Sequence, residues 1–221
     1  MEEIVFVEKP CDLNVIKKEA VQLAVWRQKQ APKFVAALSD PSLSAANLPA
    51  FQGLFESSET GEVAQVLKSY LWRPYNLRSQ KDRALVEEDI DELVEQIDQL
   101  VHIFVEIVNE PAIHVKLEAI SDDGCRNWHQ DFVPYRLVAT YRGPCTEFVP
   151  PTLSKSTLQR RHSNCKHAQS LLHSDVALFK GRGCEDDDCS HDHPGIVHRS
   201  PRNTGHRVVL ILDIPQKGWH Y

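Results

Sequence analysis

The sequence predicts an α+β fold, with helices first and an all-β half after them. Three observations carry this. Residues 83–108 hold the longest helical periodicity, with Val86, Ile90, Leu93, Val94, Ile97, Val101, Phe104 and Val108 in one apolar stripe. After Pro111 the period drops to two: Ile113, Val115, Leu117 and Ala119 interleave with His114, Lys116 and Glu118. From there to the C-terminus, short apolar runs are punctuated by Gly, Pro and Asp turn signals. Helices would then cover one face of a β-sandwich or barrel. At 221 residues the chain fits one structural unit, with a mainly helical part over 1–110 packed on a β core over 111–221.

Taken in order, Ile4-Val5-Phe6-Val7 before Pro10 reads as an edge strand. Asp12 suits the N-cap of a helix over 13–30, whose Ile16, Ala20, Leu23 and Ala24 recur at helical spacing. Pro32, Pro41 and Pro49 then predict loop and short helices around Phe51, Leu54 and Phe55. A helix over 62–72 should close at Arg73-Pro74, because the residue before proline is pushed out of helical geometry. The acidic run from Glu87 to Glu92 favours the N-terminus of the long helix electrostatically. Strands follow at Tyr135–Tyr141 and Val176–Phe179, with a short helix near 155–162. Ile196–His198 and Arg207–Leu212 read as two antiparallel strands joined by a turn at Asn203-Thr204-Gly205.

Hydrophobic content of 42% and charged content of 25% are ordinary globular values that provide for a sizeable core. A net charge of −6 argues against a nucleic-acid partner, whose phosphates need a basic face. The acidic start Met1-Glu2-Glu3 is unlike a secretory leader, and no apolar run approaches a membrane span, so the expectation is a cytoplasmic chain that meets no membrane. In a reducing compartment the six cysteines are free or metal-bound rather than disulfide-paired. Of the eleven histidines, all but His102 and His114 lie from His129 onward, so metal chemistry belongs to the second half.

Trp128-His129-Gln130-Asp131 and His198-Arg199-Ser200-Pro201 carry that chemistry. In an extended strand His129 and Asp131 project the same way, about 7 Å apart along the backbone. A second histidine, His198, brought back by a sheet folding on itself, completes a two-histidine, one-carboxylate face with open metal positions. On the next strand, Arg207 offers a guanidinium that can grip a carboxylate with two hydrogen bonds. With these residues in place the chain resembles the double-stranded β-helix (jelly roll) of the Fe(II)/2-oxoglutarate-dependent dioxygenases. The resemblance implies His129, Asp131 and His198 as iron ligands and catalytic centre, and Arg207 as anchor for the far carboxylate of 2-oxoglutarate. The stretches WHQDFVPYRLVATYRGPCTEFV, SDVALFKG and GIVHRSP are more closely similar to an uncharacterised bacterial domain-of-unknown-function family. Tyr141, Arg142 and Thr146 are placed to line the same pocket, with Tyr141 and Thr146 as co-substrate contacts. Barrel packing is the competing role for each. Only one of Tyr135 and Arg136 can face the metal, and Tyr135 does so if the register of His129 and Asp131 continues past Pro134.

A second cluster, Cys184, Cys189, His191 and His193 with Cys165 and His167 nearby, has the composition of a four-ligand Zn²⁺ site. Its spacing matches no common zinc finger, and an acidic metal-sensing loop or a loop without function are the other readings. Three functions therefore compete: an Fe(II)/2-oxoglutarate-dependent oxygenase acting on a small molecule or a protein, a non-enzymatic zinc-handling protein, and a metal-free interaction domain. The order His-x-Asp, His, Arg favours the first.

Overall fold

A sheet buried on both faces explains why so many strands of this chain read as unbroken apolar runs. The computed structural model describes residues 3–76, 85–121, 125–160, 165–173, 175–182, 195–201 and 205–215. Its strands are β1 (Ile4–Val7), β2 (Leu23–Trp26), β3 (Phe51–Glu56), β4 (Ala112–Ile120), β5 (Tyr135–Arg142), β6 (Glu147–Phe148), β7 (Gln169–Ser170), β8 (Val176–Lys180), β9 (His198–Arg199) and β10 (Arg207–Asp213). Its α-helices are α1 (Lys33–Leu38), α2 (Val63–Asn76), α3 (Glu87–Val108) and α4 (Ser154–Gln159). Among the described residues the strands form a seven-stranded sheet in the order β1-β2-β8-β5-β10-β4-β3, and a three-stranded sheet in the order β7-β6-β9. All neighbours pair antiparallel except β1 and β2.

Helices α1, α2 and α3 cover one face of the large sheet. There Phe34, Leu67, Ile97 and Phe104 pack with Val115, Leu137, Leu178 and Leu210 in the main core. The other face packs Val25, Val138, Phe179 and Val209 with Phe148 of the small sheet and with Ile196. Helix α3 matches its sequence signal. Ile90, Leu93, Val94, Ile97, Leu100, Val101, Phe104 and Ile107 are buried along it. The Val86 N–H donates to Asp89 Oδ2 at 3.2 Å, so the first turn meets one of its orphan donors with an acidic side chain. Asn109, at φ 53°, ends the helix in the left-handed region and donates its N–H to the Val105 carbonyl.

Several expectations are corrected. The chain is not helices first: β1, β2 and β3 come from the N-terminal part and join the same sheet as the later strands. The helix expected over 13–30 is a 3₁₀ segment, Pro10–Lys17, followed by β2. Strand β2 lies between β1 and β8 with Leu23, Ala24 and Val25 all buried, so its apolar run satisfies both faces of a sheet rather than one face of a helix. The segment at Phe51–Phe55 is β3, whose Gly53 lies where a Cβ would stand 2.8 Å from the Phe51 ring and 3.2 Å from that of Phe55. Helix α2 continues through Pro74 to Asn76. Finally, β9 and β10 are not a hairpin. Strand β9 pairs with β6 in the small sheet, while β10 lies between β4 and β5 in the large one. Among the described residues no helix is long and apolar enough to cross a membrane.

Candidate metal centre

The site begins with a backbone pairing. His129 and His198 form an isolated antiparallel bridge, each N–H donating to the other's carbonyl at 3.0 Å. Directly opposed residues put their side chains on one face, and the two imidazole centroids are 4.4 Å apart. Asp131, two positions on, turns its buried carboxylate to the same point. Its Oδ1 stands 3.9 Å from His129 Nε2 and its Oδ2 stands 3.4 Å from His198 Nε2. One ligand atom from each of the three residues lies within 4.8 Å of the others. The glycine after β8 allows this. A Cβ on Gly181 would meet the Val133 carbonyl at 2.0 Å and that of Asp131 at 2.7 Å, so the two backbones can lie this close only without a side chain. The Gly181 N–H bonds the Pro134 carbonyl and the Arg182 N–H bonds the Asp131 carbonyl, pinning the ligand segment from behind.

Both rings are oriented through their far nitrogens. His129 Nδ1 lies 2.9 Å from the Asn127 carbonyl and His198 Nδ1 lies 3.2 Å from the Ile196 carbonyl. A carbonyl accepts only, so each Nδ1 carries a proton and Nε2 is the nitrogen each ring turns to the centre. Burial pushes the His198 pKa down to about 4, and the charges of His129 and Arg136 add to this against the opposing pull of Asp131. The ring is therefore neutral at physiological pH, the form that ligates a metal. Asp131 Oδ1 accepts a hydrogen bond from Arg136 Nη1, whereas buried Oδ2 has no hydrogen-bond partner.

A cavity of about 270 Å³ opens on this centre, with His129, His198, Thr146 and Arg207 among its walls. Arg207 heads β10 and is buried. Its Nη1 donates to Ser200 Oγ at 3.1 Å and its Nη2 to Thr146 Oγ1 at 3.4 Å, while Nε has no partner. Both partners are neutral hydroxyls, and burial pulls the pKa of the guanidinium below the ordinary arginine value. A buried guanidinium with only neutral hydrogen-bond partners is costly unless an anion completes it.

The family follows from the whole chain rather than from the site. The protein belongs to the family described as "protein of unknown function (DUF1826)". The match spans residues 7–213. No curated protein matches. Solved structures similar to this chain include a dioxygenase for auxin oxidation from rice, at 9% identity and TM-score 0.48 over 96% of this chain and 82% of that one. The 2-oxoglutarate complex of the dioxygenase for auxin oxidation 1 of Arabidopsis thaliana is 11% identical, with TM-score 0.41 over 98% and 94%. A full-length Neurospora crassa protein in complex with alpha-KG is 8% identical, with TM-score 0.38 over 99% and 85%.

Within this DUF1826 chain the structure brings His129, His198, Arg207 and Thr146 to one cavity and sets the Asp131 carboxylate against the two histidines. It takes Tyr141 away. That side chain is fully buried in the main core, edge-on to Phe34 at 5.0 Å, on the helix-covered face of the large sheet. The phase slips between Asp131 and β5, so Arg136 and Val138 face the cavity while Tyr135 and Leu137 face the helices. Arg142 also leaves the cavity: a bulge at Val208/Val209 sends its guanidinium to the Leu38 and Leu43 carbonyls. Of the second cluster, Cys184, Cys189, His191 and His193 lie outside the described residues, as does the Cys165 side chain, and His167 is exposed.

Sequence reasoning missed Asp213 and the role of Arg136. They are opposed across β5 and β10, and Arg136 Nε and Nη2 donate to Asp213 Oδ1 at 2.6 Å and Oδ2 at 3.0 Å. Two opposite charges inside otherwise apolar strands were the available signal. The Arg199 guanidinium, buried beside His198, lies 4.2 Å over the Trp128 ring and pairs with Glu147 at 2.6 Å, which accounts for Trp128 as packing.

Proposed function

We propose that this chain is an Fe(II)- and 2-oxoglutarate-dependent oxygenase on a jelly-roll core, the two sheets being the walls of the barrel. One observation carries the reading. A single cavity is walled by both histidines and by a buried guanidinium whose hydrogen-bond partners are neutral hydroxyls, and a bare carboxylate oxygen of Asp131 meets the two histidines. The donors fit a divalent metal: two imidazoles and one carboxylate on one side leave the opposite positions open. Iron in such a site would supply the oxidative decarboxylation of 2-oxoglutarate by dioxygen to succinate and carbon dioxide, one oxygen atom of the dioxygen entering succinate and the other a substrate.

The chain's residues divide the work. His129, Asp131 and His198 would hold the iron, and the Asn127 and Ile196 carbonyls keep both rings turned toward it. Arg207 would pair with the far carboxylate of the keto acid, with Thr146 and Ser200 fixing the guanidinium plane. Val138, Val209 and Ile211 line the cavity between, so the co-substrate would displace water from an apolar wall.

The test is an anaerobic titration of metal-stripped protein with Fe(II) and then 2-oxoglutarate. Formation of the visible charge-transfer band of a chelated keto acid, lost in His129→Ala and weakened in Arg207→Gln, is the expected result. Bound metal with no response to the keto acid in the wild type would overturn the oxygenase reading. The chain would then be a metal-binding protein without this chemistry, and zinc the metal to examine, since it binds such donors more tightly than iron.

A further inference from the structure

The two oxygens of Asp131 have different surroundings. Oδ1 is held by Arg136, while Oδ2 is bare and faces His198. The opposite edge of the same guanidinium is clamped by both oxygens of Asp213, which is buried. Register fixes this clamp, because Arg136 and Asp213 are cross-strand partners on β5 and β10. Asp213 in turn lies 3.9 Å from Lys116 Nζ on β4. A row of alternating charges therefore runs across three neighbouring strands and ends on the metal-facing carboxylate. The fork geometry is rigid and buried, so these charges cannot swing away when a cation arrives.

We infer that Arg136 is a positioning residue that sets how the triad binds its metal: it occupies one oxygen of Asp131, leaves the other as the only metal-facing oxygen, and holds a positive charge beside the cation, with Asp213 as its counterweight. This rests on the proposed reading only insofar as the triad binds a divalent metal; no keto acid is involved. Two consequences follow. Asp131 coordinates through one oxygen, which keeps the remaining positions free. The site also binds a bare divalent cation more weakly than the same three ligands would alone, because part of the carboxylate's charge is already met by Arg136.

The opposed charges make the idea testable by sign. Arg136→Gln removes a positive charge and frees Asp131 Oδ1, so affinity for the cation should rise by at least about tenfold, a lower bound beside the roughly thousandfold that two unit charges about 4 Å apart give at an effective dielectric of about 20. Asp213→Asn leaves Arg136 on Asp131 without its counterweight, so affinity should fall. Arg136→Lys keeps the charge and should restore near-wild-type affinity. A merely structural role predicts the same direction, a loss, for every variant.

The probe is Co(II) alone, titrated by calorimetry into the full chain, with the cobalt d–d absorption as a second readout. In Arg136→Gln a carboxylate free to chelate with both oxygens should raise the coordination number and weaken that absorption. Loss of affinity in both charge-removing variants, with folding confirmed by circular dichroism, would overturn the inference. If Arg136→Gln alone does not fold, Asp213→Asn is compared with Arg136→Gln/Asp213→Asn, which differ only in Arg136. The double variant must bind Co(II) more tightly, and equal or weaker binding overturns the inference. Failure of the wild-type chain to bind Co(II) would instead sink the metal-site reading on which this rests.

Discussion

His198 Nε2 and the unbonded Asp131 Oδ2 face each other across 3.4 Å. The imidazole proton is on Nδ1, bound to the Ile196 carbonyl, and burial keeps the ring neutral. Two buried acceptors aimed at one another repel, and a cation between them removes both the repulsion and the desolvation penalty of the carboxylate. Divalent metal should therefore stabilise the fold. At a free concentration about one hundred times its Kd, the unfolding free energy should rise by about 2.7 kcal/mol, and His198→Ala should abolish the rise. Denaturant melts with and without Co(II) check this, and an unchanged midpoint in the wild type would contradict it.

Arg207 faces the complementary problem. Among the described residues its buried guanidinium has two hydroxyl hydrogen-bond partners, and Glu118 acts on it through charge without a hydrogen bond. Replacing a buried charge of this kind with an apolar side chain of similar length should raise stability by about 1–3 kcal/mol while removing the anion contact. Arg207→Met is expected to melt higher than wild type and to bind 2-oxoglutarate at least about one hundred-fold more weakly, the cost of truncating one side of a buried charged pair. A variant that melts lower would show that the arginine is satisfied by the protein itself.

Tyr141 tests where the sequence was hard to read. Long amphipathic α3 and the apolar runs of β8 and β10 were legible, because each has a pattern that one element satisfies. His129, Asp131 and His198 were legible as a group for another reason: His-x-Asp shares one face of an extended segment, and the later His198 and Arg207 follow in the order such a site needs. The phase of β5 was not. Pro134 interrupts the alternation, so counting from Asp131 puts Tyr135 and Tyr141 inside, whereas the chain slips by one and puts Arg136 there. Nor does a local pattern report which strands pair, and so β9 and β10 looked like a hairpin although they lie in different sheets. The Tyr141 hydroxyl is fully buried with no hydrogen-bond partner. Tyr141→Phe should thus be neutral or stabilising by about 1 kcal/mol and should leave keto-acid binding unchanged. A clear loss of binding would return Tyr141 to the pocket.

Gly181 couples β8 to the segment that carries Asp131 through backbone alone. An added Cβ would overlap the Val133 carbonyl at 2.0 Å, and backbone cannot rotate out of the way as a side-chain tip can. Gly181→Ala should destabilise the fold by about 1–3 kcal/mol, the usual penalty of overpacking. It should also weaken Co(II) binding, because the displaced segment carries Asp131. Gly61, where nothing lies within 4 Å of a built Cβ, is the matched control, and Gly61→Ala should change neither quantity.

His114 links stability to pH away from the metal. It is buried on β4, and burial first, then the charge of Lys116, pushes its pKa from 6.5 to about 4. Between those values the unfolded chain binds a proton that the folded chain refuses. Stability therefore rises with pH across this window and levels off above about 6.5. Conversely, the stabilisation is intact at neutral pH and drains away as pH falls through the unfolded value toward the folded one. From about pH 7.5 to about pH 5 the loss attributable to this residue is about 2 kcal/mol. His114→Gln cannot titrate, so whatever its absolute stability, its unfolding free energy should vary less over that range by the same amount. Equal slopes in denaturant melts of the two proteins at about pH 5, 6 and 7.5 would show that His114 protonates as readily folded as unfolded.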